Sequence, residues 1–358
     1  MTPMASMRCL LVSGFMFLAA CGGGDDEPSP PDIPDAFAEV DSAARAAYAE
    51  HRVPMGLAVY KADGTKVFER MYGDFAPDRR VAIASASKLV SGVTLFRLID
   101  QGYLSLDSSA AQVLGWTGVH GEITLRHLLS FTSGLEPENA CTYRAGVTLA
   151  DCVNEIGQSA LLAAPGTRFD YGSTHLHVAA RMAEVMVGAG WNDIYERQLR
   201  QPLQLAPQFA YYSAPRQASG AYPINPLIAG GMRASMNDYA SFLRFVYDKG
   251  QWQGSRLLAP EIFDVQAMEP YPNVTIGNTP SALYARYGLT AWLECATPAS
   301  GCATISSPGA FGFTPWLDRN AGYYAILGME LDDLRADRGL GPQIQQALKP
   351  LIAEAVGK

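Results

Sequence analysis

Positive charge is scarce in this sequence, and histidine scarcer still. Its 358 residues carry 27 Lys and Arg against 35 Asp and Glu, a formal net charge of −8, with 5 His. A nucleic-acid binder needs a basic face, and this balance argues against one. Anionic lipid headgroups find no strong attractor either. HExxH and GxSxG are missing, which removes the zinc-protease helix and the α/β-hydrolase elbow. GxGxxG, a Walker loop and CxxC are missing as well, so no cofactor and no metal is expected. What the chain does have is apolar mass. At 48% hydrophobic and 17% charged residues it is too apolar for disorder and long enough for a large core.

The first 20 residues read as an address. Arg8 precedes the apolar run Leu10–Ala20, whose 11 residues are too few to span a bilayer as a helix. Leu18-Ala19-Ala20-Cys21 resembles a bacterial lipobox, which implies a lipidated Cys21 and a signal peptide over 1–20. A tether over 21–35 follows, rich in Gly, Pro and acid, with no large apolar residue from 22 to 32. It holds Asp25, Asp26, Glu27, Asp32 and Asp35, so from residue 36 onward the balance is only 26 basic to 30 acidic. Cys9 leaves with the signal. The four body cysteines then suggest two local disulfides, Cys141–Cys152 and Cys295–Cys302, in an oxidising compartment. The expected location is the bacterial envelope, lipid-anchored and facing the periplasm or the surface. Gly22, in place of Asp, leans towards the outer membrane.

Residues 36–358 read as one domain. A helical stretch over 36–50 precedes strands Met55–Lys61 and Lys66–Tyr72, joined at an Asp63-Gly64 turn. Tyr287–Glu294 and Gly322–Glu330 read as further strands, and the stripe Ile344, Leu348, Leu351, Ile352 as a closing amphipathic helix. Between them, roughly 85–265, lie helical runs at Leu89–Gln101, Ile123–Ser130, His175–Val187 and Ser235–Tyr247. Ser235 with Asp238 resembles a capping box. The expected fold is therefore α/β: an antiparallel sheet flanked by helices, built from both termini, with a mostly helical inserted region.

Ser85-Ala86-Ser87-Lys88 opens one of those helical runs. Residues i and i+3 share a helix face, so Ser85 and Lys88 would set a hydroxyl beside an amine. A serine there is a nucleophile if the amine accepts its proton; otherwise the pair is a cap and a solvated lysine. Two more segments bear on the choice: Tyr171-Gly172-Ser173 after a Pro165-Gly166 turn, and Ser307-Pro308-Gly309-Ala310 before the last strand. With Gly102–Asp107, Ile123–Leu135 and Ala229–Ser235 between them, the chain resembles the serine β-lactamase and penicillin-binding-protein superfamily, within it the class C β-lactamase-like branch of esterases and peptidases. The resemblance covers nearly all of residues 37–355.

That resemblance implies an acylated Ser85, an activating Lys88 and a proton-relaying Tyr171. It further implies an oxyanion hole at the amides of Ser85 and Ala310, with substrate contacts from Ser173, Ser307 and Gly309. Two departures stand out. The family's Lys/His-Thr/Ser-Gly motif reads Ser307-Pro308-Gly309, so its cation is gone, and Tyr-x-Asn reads Tyr171-Gly172-Ser173. Both point from β-lactams towards neutral esters or amides, unless Arg319 returns the cation from the next loop. The activity expected is that of a carboxylesterase or amidase with a small-molecule substrate. The alternatives are a β-lactamase or D-Ala-D-Ala carboxypeptidase of the same fold, or a catalytically silent lipoprotein that binds cell-wall peptide. His175 and His177 point apart and are read as one surface and one partly packed residue. Phe311, Phe313, Trp316, Tyr323 and Tyr324 are read either as an acyl pocket or as ordinary core. Oligomeric state is not legible.

Overall fold

The computed structural model describes residues 34–217, 219–280, 286–296, 301–332 and 339–358. The signal segment, Cys21 and the tether up to residue 33 lie outside the described residues. Helix α1 (Ala38–His51) leads into the hairpin β1 (Met55–Lys61) and β2 (Lys66–Tyr72). Its turn works as the Asp-Gly pair suggests: the Asp63 carboxylate accepts the Thr65 N–H at 2.8 Å, and Gly64 takes a φ of 88°. After β3 (Val81–Ala82) comes the helical region. It comprises α2 (Ser87–Asp100), α3 (Ala110–Leu114), α4 (Gly118–Gly121), α5 (Leu125–Leu129), α6 (Leu149–Ile156), α7 (Thr174–Val187), α8 (Trp191–Tyr195), α9 (Met236–Tyr247) and α10 (Glu261–Gln266). Short strands punctuate it: β4 (Arg168–Asp170), β5 (Ala210–Tyr211), β6 (Met232–Ala234), β7 (Gln251–Trp252), β8 (Ser255–Arg256) and β9 (Thr275–Asn278). The chain returns through β10 (Trp292–Leu293), β11 (Thr304–Ser306), β12 (Thr314–Asp318) and β13 (Tyr323–Met329) to α11 (Leu340–Gly357). Among the described residues no helix is long and apolar enough to cross a membrane.

The two ends of the chain share one sheet of order β10-β11-β12-β13-β1-β2, antiparallel throughout. Strand β1 lies between β2 and β13, with Met55 opposite Met329 and Lys61 opposite Tyr323. Successive side chains of a strand face opposite ways. Accordingly, Leu57, Val59, Ala325 and Leu327 meet α1 and α11 in one core, while Ala58, Tyr60, Tyr324 and Ile326 meet the helical region in another. Burial on both faces explains why β13 is apolar along its whole length.

The region around α2 is the larger core. This helix is buried nearly all round from Ser87 to Phe96, polar Ser87, Lys88, Ser91 and Thr94 included. Helix starts are fixed locally: Ser235 accepts the Asp238 N–H at 3.1 Å and gives its hydroxyl to the Asp238 carboxylate at 2.8 Å. Both expected disulfides, Cys141–Cys152 and Cys295–Cys302, are present.

One expected strand is corrected. Of Tyr287–Glu294 only Trp292–Leu293 is strand; Tyr287 pairs back onto Trp292 in a single bridge around a turn with Thr290 at φ 61°. The segment is mostly apolar because both arms of this turn are buried, not because it is extended.

Candidate active site

Ser85 sits in the 3-10 turn Ala84–Ala86 that runs directly into α2. Within 81–90 it alone is not buried. Its neighbours hold the turn: Ser87 Oγ donates to Ala84 O at 2.6 Å, and Tyr239 OH donates to Ala86 O at 2.9 Å. Ala84 takes a φ of 43°, a left-handed conformation that costs a non-glycine residue energy. The strain sits directly before the serine, and the surrounding hydrogen bonds maintain it.

One turn on, the SxxK spacing places Lys88 Nζ 2.9 Å from Ser85 Oγ and 2.9 Å from Ala229 O. The ammonium is also 4.7 Å from the centroid of the Tyr171 ring. Lys88 is only 3% exposed, which rules out the solvated-lysine reading. Burial lowers its pKa to about 8, against an opposing pull from Glu138. Tyr171 moves the other way. Burial raises its phenol above the ordinary value, and hydrogen bonding to Ser85 and Trp292 offsets only part. Ser85 and Lys88 from one motif and Tyr171 from another thus converge on one point.

Tyr171 is held by aromatics that sequence reasoning missed. It stacks on Trp292 with centroids 4.9 Å apart and meets Phe131 and Tyr287 edge-on at 5.3 and 5.8 Å. The turn at 287–292 therefore helps to wall the site. The cluster singled out from sequence behaves differently. Phe313 packs on Tyr239, Tyr324 on Tyr60, and Trp316 Nε1 donates to Tyr323 OH, all in the cores. Only Phe311, beside Ala82 and Ala84, adjoins the serine turn, so this cluster is core and not an acyl pocket.

The third motif closes over the serine turn. Ser307 is buried and gives its hydroxyl to Ser85 O at 3.2 Å. The Gly309 N–H pairs with Phe313 O at 2.8 Å, and a Cβ on Gly309 would lie 2.1 Å from Ile83 O. Glycine there lets the loop after β11 approach the serine turn; Ala310, next in sequence, is exposed. Arg319 does not return the missing cation. Its backbone lies beyond β12, bonded to Ala303 O, and its guanidinium donates to Tyr247 O and Val246 O at the end of α9.

A charge of the opposite sign is present instead. Glu138, exposed in the loop after Leu135, accepts the Ser173 N–H at 3.1 Å and the Ser173 hydroxyl at 3.2 Å. Its other oxygen accepts the Tyr143 hydroxyl at 2.9 Å. Gly172 makes this contact possible: a Cβ would lie 1.9 Å from Pro137 O, which receives the N–H groups of Ser173 and Thr174. The only sequence signal for Glu138 is an acid a few residues beyond Ser133-Gly134-Leu135.

The histidine reading is corrected. Both are fully buried on α7: His175 between Ser133 Oγ at 2.8 Å and Asp170 O at 2.7 Å, His177 beside Ser173 O at 3.4 Å. Burial lowers each to about 4, so both are neutral near pH 7. They are packing residues with different partners.

Comparison with known proteins identifies the family. A protein solved as a candidate beta-lactamase from Bacteroides dorei DSM 17855 is 26% identical, covers 90% of this chain and 99% of its own, and has a TM-score of 0.77. EstCE1, described as a hydrolase with promiscuous acyltransferase activity, shares the fold at 18% identity and TM-score 0.69, over 90% of this chain and 99% of its own. The D-alanyl-D-alanine-carboxypeptidase/endopeptidase AmpH of Escherichia coli K12 is 26% identical over 220 residues, 53% of this chain and 56% of that protein. Penicillin-binding protein 4 of Amycolatopsis lactamdurans is 32% identical over 130 residues, 34% of this chain and 33% of that protein. The chain thus spans a third to about half the length of these two curated relatives. The Beta-lactamase family model matches residues 40–344, most of the chain and every motif above, and the chain belongs to the beta-lactamase family of serine hydrolases.

Proposed function

We propose that the chain hydrolyses esters or amides through an acyl-enzyme on Ser85. The observation that carries this is the buried Lys88 amine 2.9 Å from the Ser85 hydroxyl, with a pKa lowered to about 8. At pH 7 such a group is roughly one-tenth neutral, against about one part in several thousand for a solvated lysine. Neutral Lys88 takes the Ser85 proton while Oγ bonds to the acyl carbon; the C–O or C–N bond then breaks and the leaving group takes the proton back. The amides of Ser85 and Ala310 hold the developing oxyanion. Tyr171 stays a neutral phenol, because burial raises its pKa, and so passes protons on instead of storing a charge.

Ester or amide substrates are favoured over β-lactams because Ser307 is turned into the serine turn and Arg319 into α9. A carboxylate finds neither as a partner. Ser85→Ala should abolish turnover of p-nitrophenyl butyrate, and intact-mass measurement of wild type should show a butyryl adduct that the variant lacks. Undiminished turnover by Ser85→Ala would remove the assignment. The same reading places the protein in the bacterial envelope, tethered through Cys21. Its support is the lipobox-like sequence and the pairing of all four body cysteines in disulfides.

A further inference from the structure

We propose that Ser91 and Tyr211 are positioning residues for Lys88: their paired hydroxyls hold the Ile228–Ala229 backbone so that the Ala229 carbonyl keeps the amine against Ser85. This rests on the hydrolase reading above and assigns the support of its base. Three observations converge on it.

The first is what holds the amine. Lys88 Nζ donates to Ser85 Oγ and to Ala229 O, each at 2.9 Å. The serine is the group to be deprotonated, so the carbonyl is the anchor that decides where the amine stands. Ala229 lies in a turn over 227–231 whose ends are fixed by the Tyr212 backbone. The Leu227 N–H donates to Tyr212 O at 2.9 Å, and the Tyr212 N–H to Gly231 O at 3.0 Å.

The second is what holds the carbonyl between those ends. Ser91 stands three residues after Lys88, so both project from one face of α2. Its Oγ lies 2.8 Å from Ile228 O, the carbonyl immediately before the anchor, and 2.7 Å from Tyr211 OH. Ser87 O, the i−4 carbonyl that a helical serine ordinarily uses, is farther away at 3.1 Å. A hydroxyl has one proton to give. Tyr211 OH meets no other acceptor among the described residues and donates to Ser91 Oγ, which leaves the Ser91 proton for Ile228 O.

The third is burial. Ser91, Tyr211, Ile228 and Ala229 are all fully enclosed. Two hydroxyls in such a core cost stability unless both are bonded, and alanine with phenylalanine would fill nearly the same space free of that demand. Trp191 and Tyr195 meet the Tyr211 ring edge-on, with centroids 6.0 and 5.3 Å away, and keep the phenol from swinging aside. Burial is also what lowers the Lys88 amine to about 8, so a turn that gives way admits water and raises that value again.

The test compares wild type with Tyr211→Phe, Ser91→Ala and Ser91→Thr on p-nitrophenyl butyrate from about pH 6 to 10, with Ser85→Ala as the blank. In Tyr211→Phe and Ser91→Ala the rising limb of kcat/KM should move up by about one pH unit. Their rates at pH 7 should then fall about ten-fold, yet come within about two-fold of wild type near pH 10. Ser91→Thr keeps a hydroxyl and should return the limb towards its wild-type place. Either of the first two variants decides alone, provided that it melts as wild type does. The proposal is overturned if the limb of such a variant stays at about 8 or falls, if its rate drops equally at every pH, or if Ser91→Thr moves the limb as far as Ser91→Ala. Each of these results, with Ser85-dependent turnover in wild type, leaves the hydrolase reading standing. Absence of that turnover removes both.

Discussion

Lys88 and Tyr171 are the two titratable groups nearest to Ser85 in function, and burial drives them in opposite directions. A cation loses its charge when desolvated and a phenol keeps its proton, so the same enclosure makes the amine a base and denies that role to the tyrosine. The sign of the pH dependence follows. The active form has Lys88 unprotonated, so kcat/KM for a neutral ester should rise with pH through about 8 and then level. A profile of p-nitrophenyl butyrate turnover between about pH 6 and 9.5, corrected for spontaneous hydrolysis, reads this directly; a flat profile contradicts Lys88 as the base. Tyr171→Phe keeps the ring between Lys88 and Trp292 but removes the hydroxyl, and should cut kcat by about 100-fold or more with melting unchanged. Ser85, Lys88 and Tyr171 were legible because their spacing to fixed neighbours is the motif itself. Glu138 was not, since only a tertiary contact through Pro137 brings it to Ser173.

Among the elements, the junction from β4 to α7 positions most of the site. Tyr171 ends the strand's run, Gly172 passes under Pro137, and Ser173 begins the helix that carries both buried histidines. Adding one methyl at Gly172 puts carbon into a backbone carbonyl that cannot swing away as a side chain would. Gly172→Ala should therefore cost about 1–3 kcal/mol, a fall of a few °C in Tm. Acylation by a fluorophosphonate should slow more than the stability loss alone predicts, because Ser173 and Glu138 part company. Unchanged melting and labelling would show that the loop yields freely. At this scale the sequence was read well where an element was amphipathic, as at α7, α9 and α11. It was misread at 287–294, where Tyr287 and Trp292 face each other across a turn. Gly288 and Thr290 mark the reversal, but the buried apolar residues on both sides outweighed them in the pattern.

At the scale of the whole molecule, the split between sheet and helical region was legible because strand patterns occupy both ends and helical ones the middle. Which way Arg319 points was not, since that depends on α9 packing beside the end of β12. The proposed export belongs to the same scale. Expressed at full length in a bacterial host, the protein should incorporate labelled palmitate and sediment with membranes, and Cys21→Ala should abolish both. Wild type recovered unlabelled in the soluble fraction would remove the anchor.

The shared sheet also sets a schedule. Strand β1 is among the first elements made, yet one of its edges waits for β13, near the end of synthesis. The turn around Ser85 likewise waits for Gly309 to close over Ile83 and for Ser307 to hold its carbonyl. Contacts so distant along the chain form late and slowly. A nascent or truncated chain has the nucleophile but not the walls around it, so activity begins only when the C-terminal strands arrive. Under the export proposed above, that delay would keep the hydrolase silent until its C-terminal strands have crossed.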